Sequence, residues 1–252
     1  MARDLTANGR DRSGPDDHAR GFGEVVDPLR YDSLTNYPME VGALLAEMMP
    51  ASARVLDVGC GTGSITLRAN QGTQNEVVAL EPDGVRAAIA RSRGIDVHNR
   101  FLDESFLTTQ DPFDVVMMSD VLEHVATPAQ FLQLAISALK PNGLILASVP
   151  NVAHWSVRIH LLRGRFDYAP TGIMDATHLR WFTQSSIRSL FEACELRISE
   201  IRHTAGVDLP VYVSSTLRRI PRRWRDPGIR FLTRRLPLAF GCQHVVKAQW
   251  LG

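Results

Sequence analysis

The chain has 252 residues, 44% of them hydrophobic, a length and composition that fit one large α/β domain or one domain with an elaborated lid. No apolar run reaches the ~18 residues of a membrane-spanning helix, and the charged opening MARDLTANGRDRSGPDDHAR lacks the apolar core of a secretory signal. A net charge of +1 excludes a generally basic, nucleic-acid-coating protein, yet it hides an asymmetry: the eight arginines and one aspartate of residues 217–235 carry +7 and leave −6 on the rest.

In chain order, residues 1–20 have almost nothing to bury and are expected to be a disordered tail, with order beginning near Gly21. PMEVGALLAEMM (38–49) has helical apolar spacing and stops before Pro50. A strand at Arg54–Val58 leads into a glycine-rich turn and a helix, and EVVALE (76–81) reads as a second strand. Asp83 is a plausible N-cap for a helix to Arg91. Residues 95–99 form a short third strand. FDVVMMS (113–119) is a fourth, an apolar run suited to a strand covered on both faces. Thr127-Pro128 opens a helix to Leu139 as N-cap and N1, and Asn142-Gly143 turns into a fifth strand, LILASV. Residues 150–182 lack clear periodicity, and a loop of that length predicts a lid that touches substrate. Thr183 caps a helix from Gln184 to Ala193, and 196–204 and 242–250 are the last two strands. Between them, the basic segment 217–235 reads as a surface excursion in which Pro221 and Pro227 interrupt any long amphipathic helix. A solvated arm, a homodimer contact, an anionic-acceptor site and a weak peripheral membrane contact all fit it. Alternating strands and helices imply a parallel sheet with right-handed crossovers. Cys60, Cys194 and Cys242 are odd in number and form no C-x-x-C pair, which argues for a reducing cytoplasm and against a disulfide framework or structural zinc.

The strongest local signal is VLDVGCGTGS (55–64), a strand running into a turn and a helix. Gly59, Gly61 and Gly63 let backbone approach a ligand closely. Glu81, at the end of the second strand, can accept two hydrogen bonds from ribose hydroxyls. A dinucleotide site has similar parts, but Ser64 occupies the last glycine place of G-x-G-x-x-G. Asp57 would also repel a pyrophosphate, whereas it suits a ligand carrying positive charge.

V-L-D-V-G-C-G-T-G, A-L-E-P and F-D-V-V-M-M-S-D-V-L-E-H-V resemble the motifs of the class I S-adenosylmethionine (SAM) dependent methyltransferases, in particular the branch with the ubiquinone-biosynthesis O-methyltransferases. The resemblance covers roughly residues 40–200. It implies a Rossmann-like α/β fold, a mostly parallel seven-stranded sheet with an antiparallel last strand and helices on both faces. It also implies a cofactor-binding set. Asp57 and the glycines lie near the amino-acid moiety, Glu81 on the ribose, Asp103 near the adenine, and Ser119 and Asp120 beside the methionine. P-N-V-A-H-W (150–155), G-R-F-D-Y (164–168) and G-I-M-D-A-T-H-L-R-W-F-T (172–183) resemble methyltransferases encoded with bacterial surface-glycan and secondary-metabolite pathways. They imply a small hydroxylated or sugar-like acceptor.

Three histidines are candidate catalytic bases. In order these are His124 after the fourth strand, His154 after the fifth, and His178 in the lid with Asp175 to orient it. A hydrogen bond to a backbone carbonyl is the competing structural role for each. In the ubiquinone branch an acid-x-x-Glu-His pattern can hold magnesium. Asp120, Glu123 and His124 match it with a shorter first acid, and no metal is expected. Asp111-Pro112-Phe113 precedes the fourth strand, unlike the D-P-P-aromatic run of nucleic-acid base methyltransferases, so a nucleic-acid acceptor is disfavoured. An amine acceptor, a non-catalytic SAM-binding interaction protein and a nicotinamide oxidoreductase are the alternatives.

Overall fold

The computed structural model describes residues 27, 29–32, 37–213 and 216–252. The tail expected over residues 1–20 and the onset of order near Gly21 lie outside the described residues. Seven strands form one sheet in the order β3-β2-β1-β4-β5-β7-β6. They are β1 (Arg54–Val58), β2 (Glu76–Leu80), β3 (Asp96–His98), β4 (Phe113–Ser119), β5 (Leu139–Pro150), β6 (Leu196–His203) and β7 (Gln243–Trp250). All neighbouring pairs are parallel except those of β7, which runs antiparallel to both β5 and β6. The expected architecture therefore stands, including the reversed last strand.

Strand periodicity sends alternate residues to opposite faces. Leu56, Val58, Val116 and Met118 pack on one side with Phe106 of α4 (Glu104–Leu107), Leu132 of α5 (Pro128–Ile136) and Ile187 and Phe191 of α7 (Gln184–Ala193). Val55, Val115, Met117 and Leu146 pack on the other side under Leu44, Leu45 and Met48 of α1 (Val41–Met48). Here α2 (Ser64–Ala69) and α3 (Gly84–Ser92) complete the layer, with Ala69 under α1 and Ala87 and Ala90 against Ala79. Asp83 caps α3 by accepting from the N–H groups of Val85 and Arg86, as its position predicts. Thr183 and Ser186 form a reciprocal capping box on α7.

Three expectations needed correction. The α5 helix stops at Ile136, and Leu139 instead begins β5 opposite Phe113. Residues 150–182 are not structureless, because α6 (Trp155–Leu162) lies within them; it buries only Val157, too little for an apolar stripe. The basic segment does form a long helix, α9 (Arg222–Arg235), with Pro227 inside it. Pro227 removes one backbone bond. Ile229 offsets that cost by packing with Ala205, Val207 and Tyr212, and the Thr233 hydroxyl donates to the carbonyl of Phe240 at 3.2 Å. The short helices α8 (Pro210–Val213) and α10 (Pro237–Phe240) flank it.

Candidate cofactor and acceptor site

After β1 the chain turns through three left-handed glycines, Gly59, Gly61 and Gly63, at φ +75, +58 and +81. Their duties differ. A Cβ on Gly63 would lie 2.2 Å from Ile95 Cδ1, so that glycine lets α2 pack against the β3 side of the sheet. A Cβ on Gly61 would meet no protein atom within 4 Å. Gly61 therefore borders open space, a cavity of about 870 Å³ over the carboxyl ends of β1, β2 and β4. Asp57, Gly59, Gly61, Glu81, Ser119 and Asp120 line it; Gly63 does not.

Glu81 is buried and braces this turn. Its Oε2 accepts from the Gly61 N–H and its Oε1 from the Asp83 N–H, both at 2.8 Å. A carboxylate offers about four lone-pair positions, so two remain for ligand hydroxyls. Asp57 is buried as well. Burial pushes its carboxyl up to about 7 against the opposing hydrogen bond from the Thr66 hydroxyl (2.5 Å), and the charge of Glu81 adds to the rise. Asp103 lies outside the cavity lining. It caps α4 through the Phe106 N–H at 2.8 Å, and Arg100 at 2.7 Å holds its carboxyl well below the usual range. Its neighbours Phe101 and Leu102 line the cavity instead.

Asp120, which also lines the cavity, follows β4 in the left-handed region at φ +55. Its Oδ1 accepts from the Ser148 hydroxyl at 3.0 Å and the Gln243 amide at 2.7 Å, and burial raises its pKa to about 6. The Ser119 and Ser148 hydroxyls are 3.0 Å apart. A short 3-10 turn (Leu122–His124) then presents Glu123 and His124. The Nδ1 atoms of His124 and His178 each lie 3.1 Å from a backbone carbonyl, those of Thr177 and Ile173. A carbonyl only accepts, so each neutral ring carries its proton on Nδ1 and leaves Nε2 with a free lone pair. The two rings meet edge-on, 5.0 Å between centroids, and both line the cavity. Burial lowers both pKa values, that of His178 to about 4. Both rings are therefore neutral at pH 7.

Glu123 is buried beside them, and neither of its carboxylate oxygens has a hydrogen-bond partner among the described residues. Burial first, and the charge of Asp120 second, raise its pKa well above 4.5. Ligating atoms of Glu123, His124 and His178 lie within 4.8 Å of one another. The acid of the acid-x-x-Glu-His pattern, Asp120, is not among them, being tied to Ser148 and Gln243. Two imidazoles and one carboxylate do not make the oxygen-rich set that magnesium favours.

His154 does not join this group. It is fully buried and absent from the cavity lining. It caps α6, with Nδ1 2.8 Å from the Ser156 hydroxyl and Nε2 3.1 Å from the Tyr212 hydroxyl, and burial lowers its pKa to about 4. Nor does Asp175 orient His178. It accepts from the Tyr31 hydroxyl at 2.7 Å, the Thr177 hydroxyl at 2.6 Å and Arg30 at 3.2 Å. On the other side Asp32 accepts from Arg93 at 2.9 Å and the Thr62 hydroxyl at 2.7 Å. Residues 30–32 thus form a strap along the cavity wall, pinned to the lid and to the glycine turn. Nothing local in the sequence marks it, nor Gln243, which reaches Asp120 only because β7 folds back beside β5.

A sheet of this order, with a glycine turn after its first strand and an acid closing the second, defines the class I SAM-dependent methyltransferases. The chain belongs to the methyltransferase domain family, whose model matches residues 34–201, and its cofactor is SAM. It is 34% identical over 119 residues to a ubiquinone biosynthesis O-methyltransferase of Xanthomonas axonopodis pv. citri, covering 45% of this chain and 50% of that protein. It is 32% identical over 143 residues to the tRNA 5-carboxymethoxyuridine methyltransferase of Escherichia coli K12, covering 53% and 54%. The chain thus spans about half the length of these curated relatives. A SAM-dependent methyltransferase structure from Mesorhizobium loti superposes with a TM-score of 0.58 at 18% identity, over 86% of this chain and all (100%) of that one, a likeness of fold alone.

Proposed function

We propose that the protein is an O-methyltransferase that moves the methyl group of SAM to a hydroxyl of a small hydroxylated or sugar-like metabolite. The observation that carries this reading is the pair of neutral, carbonyl-anchored imidazoles, His124 and His178, in the cavity that Glu81 also lines. The cavity's features suit SAM. Gly61 leaves open space, Glu81 keeps free lone pairs for ribose hydroxyls, and Asp57, buried, and Asp120, half-buried, are acids that a cation would favour in their charged form. Bound there, SAM supplies a methyl group already activated for in-line displacement.

The chain's own residues then have four tasks. The glycine turn and Glu81 fix the cofactor, and the strap of Arg30, Tyr31 and Asp32 walls the cavity. Alignment of this kind can supply on the order of 7–11 kcal/mol of the barrier. The Nε2 of His124 or His178 accepts the proton leaving the acceptor hydroxyl, an aid of about 10²–10⁴-fold. Glu123, whose burial favours the protonated form, can in that form donate a hydrogen bond to an acceptor oxygen. The same unpartnered acid gives the alternative of an amine acceptor its best support, since an ammonium would pair with its charged form. The sugar-like character of the acceptor rests on the lid motifs alone. The buried, free cysteines suit a reducing cytoplasm. Single-turnover rates of His124→Ala and His178→Ala with a hydroxylated acceptor test the proposal. A fall of about 100-fold or more with unchanged SAM affinity supports it. Rates equal to wild type in both variants remove histidine base catalysis.

A further inference from the structure

The helix α9 has two chemically different sides. Residues 225, 226, 229 and 233 fall on one face at helical spacing, and Arg225, Asp226, Ile229 and Thr233 are all buried there. Two arginines on or beside this face, Arg222 and Arg225, are paired with carboxylates. Arg222 pairs with Asp208 at 2.7 Å and Asp226 at 3.3 Å, and Arg225 pairs with Asp226 at 2.9 Å. The opposite face carries Trp224 and Phe231, two turns apart and 68% and 57% exposed. Ile220, Leu236 and Leu238 extend this apolar line beyond both ends of the helix, each more than 40% exposed. Arg223 and Arg235 lie over the Trp224 and Phe231 rings, and Arg234 stands beside them. These three arginines and Arg218 and Arg219 are exposed and form no ion pair among the described residues.

We propose that this face docks the protein on an anionic lipid bilayer. Apolar side chains among unneutralised guanidinium groups match an acyl boundary beneath negatively charged headgroups. A second copy of the chain fits poorly, because a twofold contact would set these arginines against their own copies. Single-stranded nucleic acid would use the arginines and the two rings, but has no stacking role for Ile220, Leu236 and Leu238. Pro227, which in the sequence argued against such a helix, is carried within it at a point where the outer face continues unbroken. The inner face rests on Val207 and Tyr212, while Gly206, Asp208 and Leu209 of the same stretch line the cavity, so docking brings the cavity wall toward the membrane.

The test uses the full chain with vesicles of mixed phosphatidylglycerol and phosphatidylcholine, and with pure phosphatidylcholine vesicles, at low salt. The wild type is expected to sediment with the anionic vesicles only, to be released by high salt, and to show a blue-shifted tryptophan emission when bound. Trp224→Ser/Phe231→Ser should lose the emission shift. Arg223→Gln/Arg234→Gln/Arg235→Gln should partition on the order of 100-fold more weakly, about five-fold per arginine. Both variants should keep wild-type affinity for S-adenosylhomocysteine, which shows that they are folded and separates this surface from the catalytic reading. Failure of the wild type to sediment with anionic vesicles overturns the proposal. So does sedimentation of the folded Trp224→Ser/Phe231→Ser variant with wild-type partitioning, or preferential binding of a single-stranded RNA competitor at the same salt.

Discussion

Replacing Glu81 with alanine removes one carboxylate with an observed duty and a proposed one. Within the protein it accepts from the N–H groups of Gly61 and Asp83, both at 2.8 Å. In the proposed binding mode its remaining lone pairs accept from the ribose hydroxyls. Hydrogen bonds to a charged group contribute about 1.5–3 kcal/mol each. Gly61 lines the cavity, so its N–H can regain water in the variant, and the loss of apo stability should stay near the value of one such bond, about 1.5–3 kcal/mol. The ligand side predicts a loss of SAM affinity of about 10–150-fold. Titration calorimetry with S-adenosylhomocysteine and with an analogue lacking both ribose hydroxyls separates the two duties. The wild type should discriminate strongly against the deoxygenated analogue and Glu81→Ala hardly at all. If wild type and variant discriminate between the two ligands equally, Glu81 does not hold the ribose and acts only as a brace for the turn.

Five further outcomes follow from the same geometry. Gly61→Val should lose SAM binding, since its side chain would enter the cavity from a φ of +58; a folded variant with wild-type affinity by calorimetry would contradict this. Asp57, raised to about 7, should make SAM bind more tightly as pH rises toward and through 7, because a cationic ligand favours the ionised acid; Asp57→Asn should flatten that dependence. The linkage has the opposite sign for the empty protein. The folded state holds the proton more tightly than the unfolded state, so this group's contribution to stability falls as pH rises from 3.8 through about 7, measurable by thermal unfolding of wild type against Asp57→Asn. With His178 lowered to about 4 and His124 also lowered, the acidic limb of kcat should lie below the ordinary histidine value of 6.5, and a limb at or above 6.5 would exclude both as bases. His154→Ala should cost about 2 kcal/mol of stability through its lost bonds to Ser156 and Tyr212 while leaving kcat of the folded enzyme intact, as denaturation and single-turnover assays would register.

The sheet was legible because its central strands are apolar on both faces. FDVVMMS occupies β4 from end to end, and Arg54–Val58 is β1 without adjustment. The glycine turn and Glu81 were legible because a tight turn and a strand-end acid are local signals. What the sequence concealed is produced by distant contacts. His154 and His178 look alike in the sequence, each in a loop after a strand, but Tyr212, 58 residues on, turns His154 into the core. Asp175 looks like a partner for His178 and is claimed instead by Tyr31 and Arg30. Asp103 sits in the expected place after β3, but Arg100 and the N-terminus of α4 engage its carboxylate. Proline rules misread α9, since packing of Ile229 and Thr233 outweighs one missing backbone bond.

The proposed reaction is transfer of a methyl group to a hydroxyl oxygen beside His124 and His178. Incubating the protein with methyl-labelled SAM and matched panels of hydroxylated metabolites, sugars and amino sugars, then following products by mass spectrometry and NMR, tests it most directly. S-adenosylhomocysteine should form in step with a product one CH2 heavier, its labelled carbon bonded to oxygen, and this product should be lost in His124→Ala/His178→Ala. A labelled methyl found on nitrogen, or an undiminished rate of oxygen methylation in that double variant, would contradict it.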